Sequence, residues 1–442
     1  PKRPNPVPEA AASSVPVDTV VMVPPPAAAD AAPAAPSPSP GIRRFGGSGS
    51  QHFDLHQASG AIAWLNDTLH ATQTLIVRKQ AATKPAPGAQ AVDADDFDDQ
   101  DPDARGLLLD MARHGTGLFR ELCVQGFGDP GDRIQILCED NDDHVPLEFV
   151  YDRGYPSANA QWCHSGLAAL RQQAPTCPVC RFPGEESALG NVDVLCPYGF
   201  WSLRKVIERM SPTRDGAVSD PGGARRLLSP MTSVAFASSH LVPEAERQAT
   251  LAALQQHFDT VLPADDWLQW RQVVQQNPAL LMVLPHHGIA SHLDYLEIGD
   301  QALDEALGKL SAAQIDEKVV NPDGHDPGPI VLLLGCQTAR VSETGYGDLA
   351  SRIHRQHASI VLGTLAQILG RHAGPIAREF ALTLADLTGQ DCDFGTVMLQ
   401  VRRRMLSRGC LIAMCLVAQG DAQWRIQPRP QPTLPPPIDP TP

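Results

Sequence analysis

Leu280-Leu281-Met282-Val283-Leu284-Pro285-His286-His287-Gly288 and Ile330-Val331-Leu332-Leu333-Leu334-Gly335-Cys336-Gln337-Thr338-Ala339 decide the reading of this chain. Each is a continuously apolar run that ends on a reactive side chain in a short polar turn. Runs without alternation are expected for strands covered on both faces, as in the parallel sheet of a layered α/β domain. In such sheets, ligands bind beyond the carboxyl ends of the strands, so a histidine and a cysteine placed there can face one another across a cleft. Working outward, further strands are expected over Ile134–Cys138, Leu147–Tyr151, Val192–Leu195, Ser233–Ala237, Ser359–Gly363 and Leu411–Val417. Helices fit Gly106–Gln125, Trp201–Met210, Pro243–Phe258, Gly299–Lys309, Tyr346–Gln356 and Gly374–Leu387. Strands alternating with helices predict a layered α/β domain. No repeat is visible, which argues against a solenoid.

The flanks differ in composition. Residues 1–50 are rich in Pro, Ala, Ser and Gly and are expected to be a disordered arm. Leu55, Ile62, Leu65 and Leu69 suggest a helix within 51–80, from about His52 to Val77. A linker over 81–104 follows and ends in seven aspartates between Asp93 and Asp103, a self-repelling block that reads first as a solubilising spacer. The folded unit is expected over 105–427, followed by a Pro-rich tail over 428–442.

A formal net charge of −15 and a pI near 5.4 argue against direct nucleic-acid binding, which needs a surplus of Lys and Arg. No long apolar run suggests a membrane span, and the expectation is a soluble cytoplasmic protein. The chain opens on Pro1-Lys2-Arg3-Pro4 without a Met, so an upstream segment is expected to be missing. Ten cysteines in such a chain read as thiols, metal ligands and one reactive group rather than as a disulfide framework.

The chemistry suggested by the two strand ends is nucleophilic. A thiol is mostly protonated at neutral pH and only the thiolate attacks a carbonyl. A neighbouring imidazole lowers the thiol pKa and returns the proton to the leaving amine. Cys336 is then the nucleophile and His287 the base, and the amides of Gly288 and Cys336 would form an oxyanion hole. By itself this spacing is weak, because a cysteine ending a buried strand is often a small packing residue.

These segments, over about residues 105–427, resemble the CHAT family, a bacterial branch of the caspase, separase and gingipain clan of cysteine peptidases. The resemblance is carried by His287-Gly288 and by Gly335-Cys336-Gln337-Thr338. Val145-Pro146-Leu147-Glu148-Phe149-Val150-Tyr151-Asp152 is similar to the family's Pro-Trp-Glu strand, with Leu147 where Trp is common. Cys196-Pro197-Tyr198-Gly199-Phe200-Trp201, Ala358-Ser359-Ile360-Val361-Leu362-Gly363-Thr364-Leu365 and Gly420-Asp421-Ala422-Gln423-Trp424 complete it. The resemblance implies a caspase-like fold, a three-layer α/β sandwich with a mostly parallel central sheet, and an endopeptidase with a Cys-His dyad and no catalytic metal. It also implies activation by a partner or ligand, within bacterial antiviral defence, and a protein substrate such as a pore-forming effector. In the family pattern the histidine abutting glycine is the base, while His286 leaves a swap of roles open.

No acid stands directly before Cys336, so substrate-binding carboxylates are sought at Glu297, Asp300, Glu343 and Asp348, with a slight preference for a basic residue before the cut. Cys163, Cys177, Cys180 and Cys196 form C-x13-C-x2-C-x15-C within a loop over 160–197. The Cys177-Pro178-Val179-Cys180 knuckle suits two ligands of a structural Zn2+, with His164 as a substitute ligand and a redox pair as the rival reading. Other readings are a catalytically idle adaptor and an enzyme that cuts only itself, at Arg43-Arg44 or Arg78-Lys79.

Overall fold

The computed structural model describes residues 19–23, 41–46, 49–54, 102–127, 129–138, 146–180, 190–210, 227–290, 293–300, 305–335, 349–365, 370–387 and 392–427. In chain order the strands begin with β1 (Thr19–Val23), β2 (Gly41–Gly46), β3 (Gly49–Asp54), β4 (Arg133–Cys138), β5 (Tyr155–Trp162) and β6 (Asn191–Leu195). They continue with β7 (Val206–Met210), β8 (Leu227–Leu228), β9 (Ser233–Ser238), β10 (Thr260–Ala264), β11 (Leu280–Leu284) and β12 (His286–Ala290). The last are β13 (Leu293–Glu297), β14 (Lys309–Ser311), β15 (Ile330–Leu333), β16 (Ile360–Thr364), β17 (Leu416–Gly420) and β18 (Arg425–Ile426).

The main sheet has the order β10-β9-β11-β15-β16-β17-β7-β4-β1-β2-β3. It is parallel except between β16 and β17 and along the β1-β2-β3 edge. All five residues of β11 and all four of β15 are buried, as their unbroken apolar composition requires of strands covered on both sides. Leu281, Val283, Val331 and Leu333 meet Trp267, Trp270 and Ile353 on one face. The helix Gly370–Leu387 packs against β11 and against the helix Glu244–His257, forming another layer. Phe380 and Phe394 join Gly370–Leu387 edge-to-face to the helix Phe394–Ser407. The α/β sandwich with a mostly parallel sheet expected from the sequence is the one observed.

Several local expectations are corrected. Two strands, β1 and β2, fall within the arm expected to be disordered and β3 begins at its end; Val20-Val21-Met22-Val23, rich in β-branched valine, pairs in parallel with β4. Arg43-Arg44 lies in β2, paired on both sides, and is not a free cleavage segment. His52–Asp54, the expected start of a helix, belong to β3, while residues 55–77 and Arg78-Lys79 lie outside the described residues. Most of the acidic linker and the tail over 428–442 lie outside them too, although Pro102 opens the helix Pro102–Val124, a position where its missing N–H costs nothing. Leu147–Phe149 is a 3-10 turn rather than a strand, and Leu411–Cys415 is another before β17. Trp201–Met210 is not a helix: a 3-10 turn at Trp201–Leu203 leads into β7, whose Val206 and Ile207 are better suited to the sheet. Among the described residues of Gly299–Lys309 the helical ones are the single turn Glu305–Gly308, and among those of Tyr346–Gln356 the helix covers Leu349–His354.

The turn at Leu147–Phe149 buries Glu148, which accepts from Arg209 on β7 at 3.2 Å (Nε to Oε1) and 2.6 Å (Nη2 to Oε2). Removing one member of a buried pair leaves an uncompensated charge. Arg209→Met is expected to lower unfolding free energy by about 3–5 kcal/mol in urea titration, and Glu148→Leu added to it to recover most of the loss. A single variant as stable as the parent would show that the pair is not what holds this turn.

Candidate active site

Strands β9, β11, β15 and β16 are parallel neighbours, so their carboxyl ends share one edge of the sheet. β11 and β15 run in register from Leu280 opposite Ile330 to Val283 opposite Leu333. The amide of Leu334 then donates to the carbonyl of Val283 at 3.0 Å. Pro285, which has no N–H for the ladder, ends β11 and turns the chain into β12. At the end of β15 the carbonyl of Gly335 accepts from Thr364 Oγ1 at 2.7 Å, which fixes the residue one peptide bond before Cys336. Cys336, Glu343 and Asp348 lie outside the described residues.

β12 forms a small antiparallel sheet with β13 and β14, pairing His286 with Glu297, His287 with Leu296 and Gly288 with Tyr295. Successive strand residues point to opposite faces, so His286 and His287 cannot both face one cleft. His286 shares its face with Glu297 and Tyr295, and its ring stands edge-on to that of Tyr295, 6.4 Å between centroids. His287, partly buried, is on the other face with Leu296. Gly288 is required sterically: a Cβ there would lie 2.4 Å from Cζ and the hydroxyl of Tyr295, whose ring is also covered by Lys309 Nζ at 4.9 Å. Gly288→Ala is expected to cost about 1–3 kcal/mol by overpacking and close to nothing in a Tyr295→Ala background. Equal costs in both backgrounds, measured by thermal unfolding, would place the strain elsewhere.

Of the carboxylates sought from sequence, Asp300 is exposed, whereas Glu297 is 18% exposed and sits between two imidazoles. Its Oε2 is 3.5 Å from His286 Nδ1 and its Oε1 is 4.0 Å from His240 Nδ1. His240, which sequence reasoning missed, follows β9 through Ser239. Backbone bonds hold these ends together: Ser239 donates to Leu284 at 2.8 Å, Gly299 to Ser238 at 2.9 Å and His240 to Gly299 at 2.9 Å. Gly299 has φ of +81°, a left-handed conformation open to glycine, and this turns the chain after β13 back to β9.

The four cysteines of the loop converge in the other half of the molecule. Cys163 Sγ is 3.7 Å from Cys177 and 3.4 Å from Cys180, and one ligand atom from each of the four lies within 4.8 Å of every other. Zn–S bonds of about 2.3 Å in a tetrahedron place sulfurs roughly 3.8 Å apart, so the spacing suits one ion. Cys163 caps the helix His164–Arg171 and accepts from the amide of Gly166 at 3.2 Å, and Cys177 accepts from the amide of Cys180 at 3.3 Å. Gly166 leaves room for the cluster, since a Cβ would stand 2.9 Å from Cys196 Sγ. Burial and the neighbouring thiols push Cys180 up to about 12 and raise Cys196 as well. Burial also opposes ionisation of Cys177, but donation from the amides of Cys180 and Val179 carries it below its ordinary value. Four crowded sulfurs cannot all ionise without a cation among them. His164 is exposed, so the four thiols form the candidate metal centre without it. Arg403, on the helix Phe394–Ser407, donates to Pro175 and so fastens the loop to that helix, while Tyr198 donates to Ala174.

Among the described residues no helix is long and apolar enough to cross a membrane. No family model matches the chain, and no curated protein matches it. Among solved structures it is similar to the Arg-specific cysteine proteinase gingipain R, at 9% identity and a TM-score of 0.41 over 70% of this chain and 68% of that one. The complex of Porphyromonas gingivalis RgpB pro- and mature domains gives 9% and 0.38, over 70% and 69%. A Saccharomyces cerevisiae separase–securin complex gives 10% and 0.44, with 93% of this chain matching 30% of that one. The chain thus spans less than a third of the separase chain it matches.

Proposed function

We propose that this chain is a cysteine endopeptidase with Cys336 as nucleophile and His287 as general base. The observation that carries the reading is the register of β11 and β15, neighbouring parallel strands whose carboxyl ends bring His287 and Gly335 toward one edge of the sheet, with Cys336 next in sequence. In the reaction, His287 takes the thiol proton and the Cys336 sulfur attacks the scissile carbonyl. The developing oxyanion is met by the amides of Gly288 and Cys336, and His287 returns the proton to the departing amine. Water, deprotonated by the same imidazole, then hydrolyses the thioester. The substrate is a specific protein, and in line with the CHAT resemblance a partner or ligand activates the enzyme within bacterial defence, with an effector such as a pore-former as the cleaved protein. Cys163, Cys177, Cys180 and Cys196 hold a structural Zn2+ that fixes a loop with little core of its own.

The test is the rate at which iodoacetamide modifies each cysteine at pH 7.5, followed by peptide mapping. Cys336 is expected to react at least ten times faster than Cys123, and to lose that advantage in His287→Ala. Uniform reactivity in both proteins would remove the dyad.

A further inference from the structure

Glu297 faces His240 and His286 at 4.0 and 3.5 Å, and the two Nδ1 atoms are shielded from solvent and make no hydrogen bond. The Lys309 ammonium, on the residue opposite Glu297 in the β13–β14 register, lies over the Tyr295 ring at 4.9 Å from its centroid. A buried donor left unsatisfied costs about 1–3 kcal/mol. Closing the shorter separation to a charge-assisted bond needs a movement of only about 0.7 Å. A carboxylate has an oxygen for each imidazole, and each imidazole already faces a different one.

We infer that Glu297 is a positioning residue whose two oxygens accept the Nδ1–H groups of His240 and His286, clasping the end of β9 to the hairpin that presents His287. This rests on the proposed Cys336–His287 dyad. Backbone bonds already join β13 to the end of β9, and the clasp adds β12, the strand that carries His287. It holds both imidazoles as the Nδ1–H tautomer and fixes where His287 emerges relative to the end of β15. Misplacement of a reacting group by about 1 Å can cost about 100-fold in rate, so the lateral position of this hairpin matters for catalysis.

The test pairs iodoacetamide modification of Cys336 at pH 7.5 with 15N imidazole spectra. Glu297→Leu is expected to slow modification at least tenfold and to release His240 and His286 into the Nε2–H tautomer. Glu297→Gln keeps one acceptor oxygen and should lose less rate, with one of the two imidazoles still held. His240→Leu should reproduce part of the loss from the opposite side of the clasp. Leu and Gln variants with parental unfolding midpoints, parental modification rates and unchanged imidazole spectra would overturn the inference. If Cys336 in the parent reacts no faster than Cys123, the dyad fails instead. The imidazole spectra, which need no reactive cysteine, then still decide the clasp.

Discussion

Cys336→Ala is expected to lower kcat/KM for peptide-bond hydrolysis at least about 1000-fold, because the sulfur forms the covalent intermediate. His287→Ala should come close to the same loss, and the double variant should be little worse than either, since a nucleophile and its base act as one unit. Burst kinetics with an activated ester give a second reading: the parent releases one equivalent of leaving group per active site and Cys336→Ala releases none. Full activity in Cys336→Ala, with Cys123 or Cys392 labelled instead, would transfer the chemistry to another thiol.

The second large effect concerns the metal. Cys177→Ser is expected to abolish binding of one Zn2+ per chain and to lower unfolding free energy by at least about 4 kcal/mol. The cost arises because burial of the remaining thiols, already unfavourable to their ionisation, is no longer offset by a cation. His164→Ala, at an exposed position, should retain the metal. Elemental analysis together with urea unfolding distinguishes these outcomes. A purified parent with no metal and a midpoint insensitive to chelator would mean that the four thiols are held by packing alone.

How much of this was legible before the structure depends on what each segment meets. β9, β11, β15 and β16 were readable because strands buried on both faces must be apolar throughout, a signal that needs no neighbour. The cysteine cluster was readable from its spacing, since the knuckle at Cys177–Cys180 is a local motif. β7 was not, because Glu208 and Arg209 interrupt its apolar pattern. Each is buried against a partner distant in sequence: Gln135 and the Ala422 amide for Glu208, and Glu148 for Arg209. The turn at Leu147–Phe149 has the same origin, with Glu148 drawn inward to that arginine. His240 was invisible for a topological reason. A single histidine after Ser238-Ser239 means little until β9 is known to lie beside β11, which brings it to Glu297. The alternation along β12 likewise sets His286 and His287 on opposite faces, a distinction that adjacent letters in a sequence do not convey.

The most direct test of the proposed peptidase is to incubate the parent protein, Cys336→Ala and His287→Ala separately with a whole-cell protein extract and map new amino termini by mass spectrometry. The Cys336–His287 dyad predicts termini that appear with the parent and are missing with both variants, and the residues preceding them would define the cleavage preference. The same new termini with all three proteins would contradict it.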